Sequence, residues 1–195
     1  MRSQGCCIYW TDVWLDSSPA VSAITRPASS LGVNKAWAGG APAGIVSSIE
    51  QKAMDTAALL ATHLGIGYET AEGLHEHERQ TAGYLPGADF DATVERCLAL
   101  PDTLVFGEET AAQAQSRFTH ALERAAERCP QSTLVIVAHG TVIALFAARH
   151  LGIDPFPLWQ RLALPSFVAF HMPGYRLAAI ETDLTLADRV GLCHT

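Results

Sequence analysis

Leu134-Val135-Ile136-Val137-Ala138-His139-Gly140-Thr141 decides the fold. Its first five residues form a continuous apolar, β-branched run. That pattern belongs to a strand buried on both faces of a parallel sheet, not to an alternating half-exposed strand. A helix is predicted to follow at once and to run to about His150. The stretch therefore reads as strand, then His-Gly, then helix. In open α/β sheets, ligands collect at this carboxyl edge.

Working outward, the neighbouring segments supply the other layers. Thr110-Ala111-Ala112-Gln113 has the spacing of a capping box and opens a helix with Ala114, Phe118, Ala121, Leu122 and Ala125 on one face. A shorter helix is predicted over Asp89 to Leu98, ended by Pro101. Ile66 to Leu74 reads as a short strand followed by a polar loop. Upstream, Ile45-Val46 is a short apolar run. Ala53, Ala57, Leu60, Ala61 and Leu64 then recur at helical spacing, and Gly65 closes that helix. Downstream, Phe167 to Phe170 and Leu177 to Ile180 read as two closing strands joined at Pro173-Gly174.

The N-terminal part is less regular. Cys6 to Trp10 and Val13 to Leu15 read as one strand interrupted at Thr11-Asp12. From Ser17 to Gly44 the chain is rich in Ser, Ala, Gly and Pro, which predicts a long loop or an eroded element. Helices alternating with buried strands predict a three-layer α/β/α sandwich with a mostly parallel central sheet. A single domain over residues 1–195 is expected, with 1–44 atypical and poorly ordered.

Composition narrows the class. Of the 195 residues, 49% are hydrophobic and 17% charged, which is globular and not disordered. A formal charge of -7 disfavours nucleic acid as a partner, because phosphodiester backbones are repelled. A small anion is still allowed, since a pocket can be locally positive. The cysteines are Cys6, Cys7, Cys97, Cys129 and Cys193, an odd number without CxxC spacing. Reduced thiols and a cytoplasmic location are expected, with Cys6-Cys7 packed in a buried strand. Neither a membrane span nor a secretory signal is visible.

Three clusters could carry chemistry. His139, with the amides of Gly140 and Thr141 at a helix N-terminus, suits a phosphate; equally, it could be a histidine that merely ends a strand. Lys52 lies near the start of a helix after Ser47-Ser48 and could fold back to neutralise an anion, or simply face solvent. Leu74-His75-Glu76-His77-Glu78-Arg79 admits three readings. Glu76 could be a general acid, the segment could be a solvated loop, or His75 and His77 could share one strand face around a metal.

Ser47 to Ala57, Leu74 to Glu76, Gly107-Glu108-Glu109-Thr110 and Leu134 to Gly140, in this order, resemble the histidine phosphatase (phosphoglycerate mutase-like) superfamily. The resemblance covers about residues 45–180. It implies a metal-independent phosphomonoesterase that needs no cofactor, acting on a small phosphorylated molecule or inorganic phosphate. His139 would match the second histidine, which stabilises the transferring phosphoryl group. Lys52 would match the arginine that clamps it, as a point charge in place of a bidentate fork. Glu76 would match the acid that protonates the leaving oxygen, and Glu109 would serve the N-terminus of its helix. Apart from the resemblance, Arg79 is a further candidate for binding a phosphorylated ligand, beside Lys52 and the Gly140 and Thr141 amides.

One departure is large. The family attacks phosphorus with a histidine in an Arg-His pair after the first strand, yet no histidine here precedes His63. Val13 to Val21 resembles that strand and loop, which places the pair on Leu15-Asp16. Impaired catalysis is therefore expected. Attack by Asp16, or by water oriented by His139 and Glu76, is one alternative. A non-catalytic interaction protein with an exposed Pro155-Phe156-Pro157-Leu158-Trp159 contact is another. A homodimer, with the N-terminal segment exchanged between neighbours, is also compatible with the sequence.

Overall fold

In the computed structural model, residues 4–10, 42–130, 132–162 and 166–182 are described, the first of these by backbone alone. A six-stranded sheet is built from β1 (Gln4–Trp10), β2 (Gly44–Ser47), β3 (Tyr68–Thr70), β4 (Leu134–Ala138), β5 (Ser166–Met172) and β6 (Arg176–Glu181). The spatial order is β3-β2-β4-β1-β5-β6. The pairings β3–β2, β2–β4 and β4–β1 are parallel, and β1–β5 and β5–β6 are antiparallel. The mostly parallel sheet is thus as expected, with the antiparallel part at the β6 edge.

β4 is central, and its alternation divides the protein into two cores. Leu134, Ile136 and Ala138 join one cluster; Val135 and Val137 join the other. All five are at most 2% exposed. Successive strand residues point to opposite faces, so a run apolar at every position needs a cover on each side.

Helix α1 (Gln51–Leu64) covers one face through Ala53, Ala57, Leu60 and Ala61. Gly65 ends it in the left-handed conformation, φ 66°, and its amide bonds back to the carbonyl of Ala61. The opposite face takes α2 (Gly87–Ala99), α3 (Ala111–Arg128), α4 (Gly140–Leu151) and α5 (Pro155–Arg161). Phe146 of α4 is fully buried and meets Phe118 and Phe170 edge-on at 5.7 and 5.5 Å. Truncating such a side chain typically costs about 3–5 kcal/mol.

The capping box of α3 is formed on both sides. Thr110 Oγ1 accepts from the Gln113 amide, and Gln113 Oε1 accepts from the Thr110 amide. The segment 155–161 is the short helix α5, in place of an exposed contact loop; Leu158 is buried, and Phe156 and Trp159 pack against the core. Asp154 caps it by accepting from the Phe156 amide.

The first strand is corrected. The strand beside β4 is Gln4–Trp10, in register Trp10↔Ala138, and not Val13–Leu15 as the resemblance assigned it. Two apolar runs compete there, and only pairing across the sheet selects between them. Val13 to Val21, including Asp16, lies outside the described residues, as do residues 31–41 of the Gly- and Ala-rich stretch and the Cys6-Cys7 side chains.

Candidate active site

β2 and β4 end side by side: Ser47 is level with Val137, and the Ser48 amide donates to the Val137 carbonyl. The residues just past the two strand ends are thereby brought together. His139, fully buried as the N-cap of α4, has its Nε2 2.8 Å from Ser48 Oγ. Ser48 Oγ also accepts from the Glu50 amide, which fixes the turn into α1. Ser48 and Glu50 received no role from the sequence. Their chance of one lay in standing four and two residues before Lys52, but only the adjacency of the strand ends reveals it.

Glu50 connects the clusters. Its Oε1 accepts from the Glu76 amide at 2.7 Å and lies 3.4 Å from His139 Nε2. Its Oε2 is 3.8 Å from Lys52 Nζ. Lys52 thus leans toward Glu50, with about a third of its side chain still exposed. Glu76 is buried, with Oε1 on the His77 amide and Oε2 on the Thr141 amide, 3.3 Å away. Arg79 Nη2 is 3.9 Å from Glu76 Oε2, and its Nη1 donates to Thr141 Oγ1 at 3.4 Å. So His139, Glu76, Lys52, Arg79, Gly140 and Thr141 are gathered at one sheet edge. The helix-end amide of Thr141 already holds a carboxylate, the kind of group that such an amide attracts.

The loop that carries Glu76 and Arg79 is framed by the turn before α3. Gly107 has φ 78°, and a Cβ there would come 2.1 Å from the Glu78 carbonyl oxygen. Glu108 accepts from the amides of Gln80 and Thr81. Glu109 accepts from the Glu78 amide and from Arg117. Arg117 in turn donates to the carbonyls of Gly73, His75 and Glu76. Glu109 is therefore a loop anchor; the helix N-terminus that it was expected to serve is capped by Thr110. Burial pushes the Glu109 carboxyl up, but the Arg117 and Glu78 hydrogen bonds outweigh it and hold it below the ordinary range.

His75 and His77 do not converge on a metal. His75 Nε2 is 3.1 Å from Glu78 Oε1. His77 is buried, stacks on Phe106, and has its Nε2 2.9 Å from the Glu109 carbonyl. A carbonyl can only accept, so this nitrogen carries the proton. Burial holds the His77 imidazole below its ordinary pKa. Among the described residues, no group of three or more His, Cys, Asp or Glu is arranged for a metal ion.

These side chains border a cleft of about 560 Å³. Its walls carry the carboxylates of Glu50, Glu72, Glu76 and Glu78 against the cations Lys52 and Arg79. An entering anion would meet both signs of charge. His139 does not itself line the cleft; the Glu50 carboxylate next to it does. Among the described residues, no helix is long and apolar enough to cross a membrane.

A family model described as the histidine phosphatase superfamily (branch 1) matches residues 30–176. Several solved structures share the fold. A phosphoserine phosphatase variant from Entamoeba histolytica, in complex with phosphoserine, superposes with a TM-score of 0.66 at 14% identity, over 93% of this chain and 98% of that one. Mycobacterial glucosyl-3-phosphoglycerate phosphatase, in complex with VO3, gives 0.62 at 20% identity, over 93% and 98%. Bacillus stearothermophilus YhfR gives 0.65 at 18% identity, over 91% and 97%. No curated protein matches the sequence.

Proposed function

The chain belongs to the histidine phosphatase superfamily, and from that premise we propose that it binds a small phosphomonoester or inorganic phosphate at the β2–β4 edge, with impaired phosphoryl-transfer chemistry. One observation carries this reading: His139, Ser48, Glu50, Lys52, Glu76 and Thr141 are linked in one chain of contacts at that edge. Solved structures of the same fold with phosphoserine or inorganic phosphate bound support the ligand class.

In this reading Lys52 and Arg79 neutralise the phosphate, the Gly140 end of α4 attracts it, and His139, which Glu50 covers, hydrogen-bonds a phosphate oxygen once that carboxylate gives way. Glu76 stands on the leaving-group side. Two features oppose turnover. The sequence has no histidine before His63 to accept the phosphoryl group, and Glu50 places a carboxylate 3.4 Å from His139. A phosphate must displace that carboxylate or share its partners with it. Asp16 as a substitute nucleophile has less in its favour, because a carboxylate repels phosphate where no metal offsets its charge.

Isothermal titration with inorganic phosphate tests the reading. Saturable binding that is lost in His139→Ala is expected. Absence of binding to the wild-type chain, or binding indifferent to His139→Ala, would defeat it.

A further inference from the structure

Glu76 and Arg79 belong to two clefts at once. On their other side lies a second hollow, of about 360 Å³, walled by Phe90, Trp159 and Leu162, with Asp91 and Gln160 at its rim. The first hollow is polar and charged. The second also carries charge, from Glu76, Arg79 and Asp91, but adds two half-buried aromatic side chains that the first lacks, at the N-terminal part of α2 and the middle of α5.

We infer that this second cleft is the subsite for the alcohol part of the ligand, and that it favours a planar, aromatic group. The inference rests on the phosphate-site reading above and adds the identity of what the phosphate is attached to. Placement comes first. If phosphate sits on the Lys52 side of Glu76, an ester oxygen beside the Glu76 carboxyl directs its substituent past Glu76. The Phe90–Trp159 wall is what lies there.

Shape and chemistry agree with that class. Phe90 and Trp159 have ring centroids 6.0 Å apart at 54°. That spacing leaves no room for a ring between them, so a planar group packs against the wall that they form together. Phe156 stacks behind Trp159 at 5.8 Å and 15° and stiffens that wall. The Arg79 guanidinium lies 5.2 Å from the Phe90 centroid, so the side chain beside the phosphate is held by an aromatic face of the subsite. A flexible polyol would find hydrogen-bond partners at Asp91 and Gln160 but little to gain from the Phe90–Trp159 wall itself. An aryl group gains apolar burial and ring contacts. The rim carboxylate of Asp91 and the amide of Gln160 can each engage a polar substituent on the ring's outer edge.

Calorimetric titrations with 1-naphthyl phosphate, glycerol 3-phosphate and inorganic phosphate test this. The naphthyl ester is expected to bind about tenfold more tightly than inorganic phosphate, and glycerol 3-phosphate about equally to it. Trp159→Leu and, separately, Phe90→Leu should each reduce the naphthyl-to-phosphate affinity ratio toward one; phosphate binding reports in the same titration that the variant is folded. Equal affinity for all three ligands overturns the subsite while leaving the phosphate site standing, as does a naphthyl advantage that survives both variants. If inorganic phosphate does not bind, the phosphate reading fails. Saturation-transfer NMR with 1-naphthol then decides the subsite alone: transfer lost in Trp159→Leu sustains it, and no transfer to wild type overturns it.

Discussion

The carboxylate of Glu50 and the imidazole of His139 face each other at 3.4 Å, at the ends of two neighbouring parallel strands. The same carboxylate accepts from the Glu76 amide and approaches Lys52. It thereby engages the groups that a phosphate would use. Removing its charge without changing its shape should release them. Glu50→Gln is expected to tighten inorganic phosphate binding about tenfold, from like-charge repulsion on the order of 1 kcal/mol at a half-exposed site. Calorimetry checks this. Weaker binding in the variant would mean that Glu50 orients His139 and does not compete with the anion.

Arg117 holds the Glu76 loop from beneath. It donates to three loop carbonyls and pairs with Glu109, all largely out of solvent. Arg117→Ala leaves those acceptors without a donor and the buried Glu109 carboxylate with only the Glu78 amide. A loss of about 3 kcal/mol is expected, which lowers Tm by roughly 10 °C for a domain of this size. Phosphate affinity should fall with it. A stable variant with intact binding would show that the loop is fixed by other contacts.

Gly107 sets the height of the same loop. A side chain at its φ of 78° would be strained, and its Cβ would meet the Glu78 carbonyl oxygen and the Arg79 Cα, both backbone atoms. Gly107→Ala should therefore cost about 4 kcal/mol. Thermal unfolding checks it, and Gly65→Ala is the comparison. Gly65 is left-handed, with φ 66°, but would have nothing within 4 Å of a Cβ, so that variant should lose only about 1 kcal/mol.

Acid should weaken the fold in two stages. Burial holds His77 below its ordinary 6.5, so the native state prefers the neutral ring while the unfolded chain takes up the proton first. That contribution is complete above about pH 6.5 and fades as pH falls through the native value. His150, also lowered by burial, adds in the same direction. Glu109 is held below its ordinary 4.5, so its contribution is present above about pH 4.5 and fades further down. Urea midpoints measured from about pH 7.5 to 3.5 should fall in both ranges, and His77→Gln should flatten the upper one. Midpoints independent of pH between about 7 and 5 would contradict this.

The sequence carried most of the framework, because the signals there are local. Leu134 to Ala138 can only be a doubly buried strand, and Thr110 to Gln113 spells its own cap. The strand-end histidine and the Lys52 helix followed from order along the chain. What escaped is what depends on distant partners. Val13–Leu15 and Gln4–Trp10 are both apolar runs, and pairing with β4 chose the second. Arg117 reaches residues more than forty positions earlier. Glu50 reads as an exposed residue of a helix start until Glu76, 26 positions later, brings its amide to it. With Gln4–Trp10 as the strand beside β4, the placement of the nucleophile on Asp16, which followed from taking Val13–Leu15 as that strand, loses its premise.

The central claim, a phosphomonoester site without phosphohistidine chemistry, is tested most directly by phosphorus NMR of the chain incubated with p-nitrophenyl phosphate, beside His139→Ala. The account predicts an ester resonance shifted by binding in the wild type only, with little free phosphate released and no protein-bound phosphoryl signal. A phosphohistidine resonance with rapid release of phosphate would contradict it.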